Sequence, residues 1–490
     1  MNGMIRFWVF IFLLFGTGLQ AQESFKGLCG TKDGKVKWLQ EYQANPDAYP
    51  ETNDTLYIPL QVHLIGQDNG NGFFSLRSLL GAFCTLQNDF KSAMIQFYLL
   101  DINYIANSTY YNHNRETGEE MMSIYKVEGA LNCYIPNSPG PGLCGYSDYN
   151  LGVTMAKACV SPSDHTWAHE IGHFLSLPHP FLGWEGQSHD YEEPAPVQWD
   201  DYITERVDGK YCDIASDGFC DTPPDYLNFR WPCDGDNMST QEQTDPNGEK
   251  FYADGTLIMS YAFDNCITRF SHDQGVAMAA NLLTEKQDYF DAPYIPQDPV
   301  GDDPLVPISP AEGELVPTYQ SVYFEWEPIP NATHYELQIT NFEPFNYVLE
   351  SYLVEGTSFL VTDLKANDQF WWRVRPFNSQ FTCTDVTQKA SFETGNLTSV
   401  QQIESVLELT VFPNPVGSNG ELFLQMELNE AIDMGIQLTD VSGKVLFAGE
   451  LAGIPGENRF QIGTEGMAPG LYLLQIITDK GSVAQKVIIR

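Results

Sequence analysis

Basic side chains are scarce in this sequence. Twenty-five lysines and arginines stand against 65 aspartates and glutamates in 490 residues, a formal net charge of −40. Such a surface repels phosphate and excludes nucleic acid as a partner. The acid serves solubility, or carboxylate-rich loops that hold Ca²⁺. Long apolar runs are also missing. The one early apolar stretch, residues 7–15, follows Arg6 and precedes the small Ala21. It is too short for a bilayer span and reads as a secretory signal peptide over residues 1–21. No permanent membrane span is expected. No Cys-x-x-Cys pair occurs, which argues against a structural zinc ribbon, and there is no internal repeat. The apolar fraction, 43%, is ordinary for globular chains and excludes global disorder.

What is present reads as three domains after the signal. Residues 22–54 form a candidate pro-segment. Residues 55–65 alternate and are rich in β-formers, so they predict a strand. Leu76, Leu79, Leu80, Phe83, Leu86 and Phe90 recur at helical spacing, and a second strand follows. A further helix is predicted over residues 164–177. The chain is then loop-rich and acidic to about residue 270, where a last helix closes a domain spanning 55–291. Proline-dense residues 292–310 predict an extended linker. Residues 311–395 show short alternating strands, as does the segment 406–490 after a second linker. The fold class expected is α+β: a mixed sheet with a helix and a loop-rich lower half, followed by two small all-β sandwiches.

The chemistry concentrates in HTWAHEIGHFLSLPHPF. On a helix, His169 and His173 share one face and reach one cation. Glu170 sits beside them and can take a proton from water without being a ligand. Pro178 cannot continue the helix, so the chain turns and presents His179 as a third nitrogen. Three protein ligands leave one position open, as a catalytic Zn²⁺ site requires. A chance HExxH on a buried helix is the bland alternative, which the third histidine weighs against. His165 reads as a capping or packing residue.

These residues resemble the metzincin zinc peptidases, and within them the pappalysin family. The stretch LIMSYAFDNCITRF is similar to the family's Met-turn, which implies Met259 beneath the metal and Tyr261 near the metal or the reaction intermediate. SDGFCDTPPD is similar to an acidic loop between zinc helix and Met-turn. The resemblance covers about residues 29–290 and implies a secreted endopeptidase acting on proteins or peptides, with Ca²⁺ as a candidate second ion. Two positions depart. Ser176 stands where the pattern has glycine, at a backbone position of positive φ. Asn265 stands where relatives that cut beside basic residues carry an acid, which argues against strict Arg or Lys specificity. The family's precursors also resemble GLCGTKDG, which implies Cys29 as a latency switch on the open zinc position; a disulfide with another cysteine is the alternative.

Residues 311–395 resemble a fibronectin type III domain. The order PNP, D-x-x-G-K, P-G-L-Y and a terminal basic strand resembles the C-terminal sorting domain of the type IX secretion system of Bacteroidetes. That implies export by this machinery, with Asp440, Gly443 and Gly470 as turn residues. Ten cysteines in an exported chain favour disulfides. Cys212, Cys220, Cys233 and Cys266 allow three pairings, of which Cys212–Cys233 with Cys220–Cys266 is favoured, and Cys133–Cys144 is expected to close a small loop. A catalytically silent peptidase fold that only binds or adheres is the competing function. A small-molecule amidase is disfavoured by the third histidine.

Overall fold

The computed structural model describes residues 28–489 apart from 33, 363, 398–404, 415, 418–419, 441–444, 469 and 479–480. The expected signal peptide, the start of the expected pro-segment and Gly443 lie outside the described residues. The described chain is a mixed α+β structure, mostly strands in several sheets, with few helices. No helix among the described residues is long and apolar enough to cross a membrane.

The N-terminal body is built on β1 (Leu28–Cys29), α1 (Lys37–Ala44), β2 (Leu56–Gly66), α2 (Leu76–Asp89), β3 (Ile95–Ala106), α3 (Ser108–Tyr111), α4 (Arg115–Tyr125), β4 (Leu131–Ile135), β5 (Leu143–Asp148), β6 (Gly152–Met155), α5 (Thr166–Phe174) and α6 (His272–Glu285). One six-stranded sheet runs in the order β1-β5-β6-β4-β2-β3. β2 and β3 are parallel, so α2 is the crossover the strand–helix–strand reading requires. Its apolar stripe is buried throughout, from Leu76 to Leu86. β5 is antiparallel to β6 and would be an open edge, but β1 pairs with it in parallel. The N-terminal segment thus satisfies an edge that would otherwise offer unpaired backbone groups.

The predicted helix over 164–177 is shorter, Thr166–Phe174. Asp164 Oδ1 turns the chain into it, accepting from Thr166 N at 3.1 Å. Its end is a Schellman closure: Ser176 N donates to His173 O at 3.0 Å and Leu177 N to Gly172 O at 2.9 Å. Ser176 takes φ 81°, the left-handed conformation expected at this position. His165 packs, as expected, with Nδ1 2.9 Å from both oxygens of Asp89.

Two further sandwiches follow. One packs a three-stranded sheet (Pro307–Ser309, Val322–Trp326, Ser358–Val361) on a five-stranded one, with Phe324, Trp326, Tyr335 and Trp372 buried between them. The other packs three strands on four between Val406 and Ile489. The proline-dense segment carries no helix or strand over residues 293–306, and it is pinned at its start. Tyr294 stacks on Tyr57 at 3.9 Å, and Gln380 holds both Tyr294 Oη (2.8 Å) and Ile295 O (2.7 Å). Aromatic residues next to the prolines give the segment surface to bury.

All three expected disulfides are corrected. The bonds are Cys212–Cys220, Cys233–Cys266, Cys144–Cys159 and Cys84–Cys383. Left-handed turns at Tyr211 and Ser216 fold the chain between Cys212 and Cys220 back on itself. Backbone bonds from Trp231 to Tyr261 and from Phe263 to Trp231 lay Cys233 beside Cys266. Cys133 and Cys144 stand on strands separated by β6; Cys133 stays a free thiol and accepts from Trp167 Nε1 at 3.2 Å. Cys84–Cys383 ties α2 to the first sandwich, across 299 residues of sequence.

Candidate metal centre

Helix α5 lies against β5 and β6 and presents His169 and His173 from consecutive turns. The Schellman closure at Ser176 reverses the chain and returns His179 to the same point. All three rings are buried. Their Nδ1 atoms are committed: His169 to Ile258 O (2.8 Å), His173 to Leu177 O (2.7 Å), His179 to Glu185 Oε1 (3.2 Å). A backbone carbonyl or carboxylate only accepts, so each Nδ1 carries the proton and each Nε2 a lone pair. The three Nε2 atoms stand 3.2, 3.1 and 3.3 Å apart. Facing lone pairs at that range repel, and a shared cation resolves the conflict. Ligands about 2.0–2.1 Å from a tetrahedral zinc stand about 3.3 Å from one another, so the residues fit Zn²⁺. Burial pushes His169 down to about 4 and lowers His173 and His179 well below the usual histidine range, which keeps all three neutral and able to ligate.

Cys29 joins this group: its Sγ and the three Nε2 atoms all lie within 4.8 Å of one another. It is half-buried and forms no disulfide. Burial first, then the neighbouring Glu170 carboxylate, push its thiol up. Glu170 is fully buried beside the histidines. Its Oε2 accepts from Thr31 Oγ1 at 3.0 Å, with Cys29 Sγ at 3.7 Å, while Oε1 has no partner among the described residues. Burial pushes its carboxyl up to about 7.

Met259 is fully buried under α5, where a Cβ on Gly172 would stand 2.4 Å from its Sδ. The Tyr261 ring centre lies 5.0 Å from that of His179 and 6.0 Å from that of His169. Asn265 is exposed, away from the recess beside the histidines; the acid that lines this recess is its neighbour Asp264, and Arg230 lines it too. Sequence reasoning missed four contributors: Thr31, Glu185, Arg230 and Asp264. Thr31 and Asp264 lie within the GLCGTKDG and LIMSYAFDNCITRF stretches without a role assigned to them there, and Glu185 and Arg230 lie in no motif. A helical period or ligand spacing reveals neighbours along the chain, whereas these meet the site from distant loops.

Away from this cluster, Glu205, Asp217 and Asp225 are buried in the loop-rich lower half. Burial, reinforced for Glu205 by Asp217, pushes their carboxyls up to about 9, 7 and 7.

Residues 410–490 match a family model described as a secretion system C-terminal sorting domain. An extracellular metalloprotease of Colletotrichum graminicola is 22% identical over 247 residues, covering 46% of this chain and 75% of that protein. Among solved structures, the FN1–FN3 domains of chicken CNTN1 align at 15% identity and TM-score 0.16, over 40% of this chain and 69% of that one. Fibronectin(III)-like modules of Clostridium thermocellum CbhA align at 12% identity and TM-score 0.16, over 38% of this chain and 92% of that one. The chain carries a secretion sorting domain, is distantly similar to an extracellular metalloprotease, and is a secreted or cell-surface protein.

Proposed function

We propose that this chain is a zinc-dependent endopeptidase of the metzincin type, close to the pappalysins, that cuts extracellular proteins or peptides. The observation that carries the reading is the convergence of three Nε2 lone pairs beside a buried glutamate with one unpartnered oxygen. His169, His173 and His179 would hold the ion. Bound there, zinc would polarise a carbonyl oxygen and acidify water.

The chain's own groups do the rest. Glu170 Oε1 orients the attacking water, takes its proton as the oxygen adds to the carbonyl carbon, and returns that proton to the leaving amine. The Tyr261 hydroxyl would donate to the carbonyl oxygen as it gains charge. Met259 supports the histidine helix from below. Cys29 blocks the open position until its segment is removed. The type IX machinery is the export partner, read from the sorting domain. Ca²⁺ in the acidic lower half belongs to the same proposal, because a cation would offset the burial of Glu205, Asp217 and Asp225.

Glu170→Ala tests the reading. The variant should retain zinc, since Glu170 is not a ligand, and lose about a thousandfold or more in rate. Activity within about tenfold of the wild-type value removes Glu170 as the base.

A further inference from the structure

A recess opens beside the three histidines. His169, Glu170 and Tyr261 form its side toward the metal centre, and Arg230, Asp264 and His165 are among the residues lining the rest. The N-terminal residues Thr31, Lys32, Gly34 and Val36 line a separate recess with His173 and His179. The first recess is therefore the one that segment leaves free, apart from Cys29.

Asp264 is its acid on the side away from Glu170, and it is satisfied from within the chain. Its Oδ2 accepts from Arg230 Nη2 at 2.9 Å, and its Oδ1 accepts from the His165 N–H at 3.3 Å. A lysine or arginine side chain entering the recess would have to displace Arg230, leaving that guanidinium unpaired beside a second cation. Arg230 Nε and Nη1, by contrast, donate to nothing among the described residues. A guanidinium has donors and no acceptor, so what it can bind is an oxygen.

We infer that this recess receives a substrate side chain next to the scissile bond, and that Arg230 makes it select side chains ending in a carboxylate or carboxamide oxygen and reject lysine and arginine. The inference rests on the peptidase reading above. It makes Arg230 a specificity residue and Asp264 the group that holds it in place.

The test uses the full protein as its host secretes it, with zinc content verified. A peptide library varied on both sides of the cut is profiled for cleavage. In parallel, glutamine, glutamate and lysine versions of one cut peptide are titrated against the zinc-loaded Glu170→Ala protein by fluorescence anisotropy. Glutamine or glutamate should be preferred over lysine and arginine by about tenfold or more in both readouts. The ratio of glutamate to glutamine separates carboxylate from carboxamide recognition. Arg230→Ala should reduce the preference to about threefold or less and admit lysine through the freed Asp264. Arg230→Gln, which keeps the side-chain bulk, should do the same and covers a folding defect in the alanine variant. A wild-type preference for lysine or arginine, or Arg230 variants with the wild-type profile, overturns the inference alone. If no peptide is cut by the secreted protein or by its Cys29→Ala form, the peptidase reading falls, and the anisotropy titrations still decide the recess.

Discussion

Thr31 donates its hydroxyl to Glu170 across 3.0 Å, joining the N-terminal segment to the proposed base 139 residues further along the chain. The same segment brings Cys29 Sγ to the three histidine nitrogens and adds β1 to the edge of β5. A soft thiolate is a good zinc ligand and excludes water from the open position. Cys29→Ala in the full precursor is expected to raise peptidase activity about tenfold or more before any processing, with zinc content unchanged. Non-reducing peptide maps should recover Cys29 unpaired. A variant that only loses stability would return Cys29 to a structural role.

Ser176 closes helix α5 at φ 81° with its hydroxyl buried and without a partner among the described residues. A Cβ in this conformation is strained and glycine is not. Ser176→Gly should stabilise the protein by about 1 kcal/mol, seen as a Tm higher by a few degrees. Ser176→Val should lower Tm and weaken zinc retention, because His179 is delivered by this turn.

Gly172 lies in the middle of the same helix, where alanine is normally favoured by about 1 kcal/mol. Here the added methyl would meet Met259 Sδ at 2.4 Å and Phe270 Cε1 at 3.2 Å. Overpacking of this kind costs about 1–3 kcal/mol. Gly172→Ala should therefore lower Tm and speed zinc loss to a chelator. A higher Tm would mean that Met259 yields freely and is no fixed support.

Glu205, Asp217 and Asp225 hold more protons when folded than when unfolded, since burial raises each above the ordinary carboxylate range. Without a bound cation, these three groups should make stability fall as pH rises from about 7.5 to 8.5, a window above the ordinary histidine range in which the lowered histidines are neutral in both states. A calcium-selective chelator should expose this slope in Tm, and added Ca²⁺ should restore Tm at pH 8. Glu205→Gln should flatten the slope. A Tm indifferent to both chelator and Ca²⁺, with zinc content constant, removes calcium from the proposal.

How much was legible depended on distance along the chain. The i, i+4 histidines, the adjacent Glu170 and the proline that breaks the helix are local, and local periodicity carries them. The same holds for the stripe of α2 and the strand–helix–strand crossover, whereas the left-handed Ser176 was implied by the family resemblance. What tertiary structure alone decided is every relation closed over a long loop. Cysteine pairing is one case: three expected bonds gave way to four others, because partner choice follows where turns and sheet order bring the Cα atoms. The docking of the proline-dense segment through Tyr294 and Tyr57 is another. The third is the environment of the site itself, where Thr31, Glu185, Arg230 and Asp264 arrive from separate loops. A sequence records which groups can ligate, donate or accept. Which of them meet is set by packing, and packing joins residues whose spacing in the chain carries no period to read.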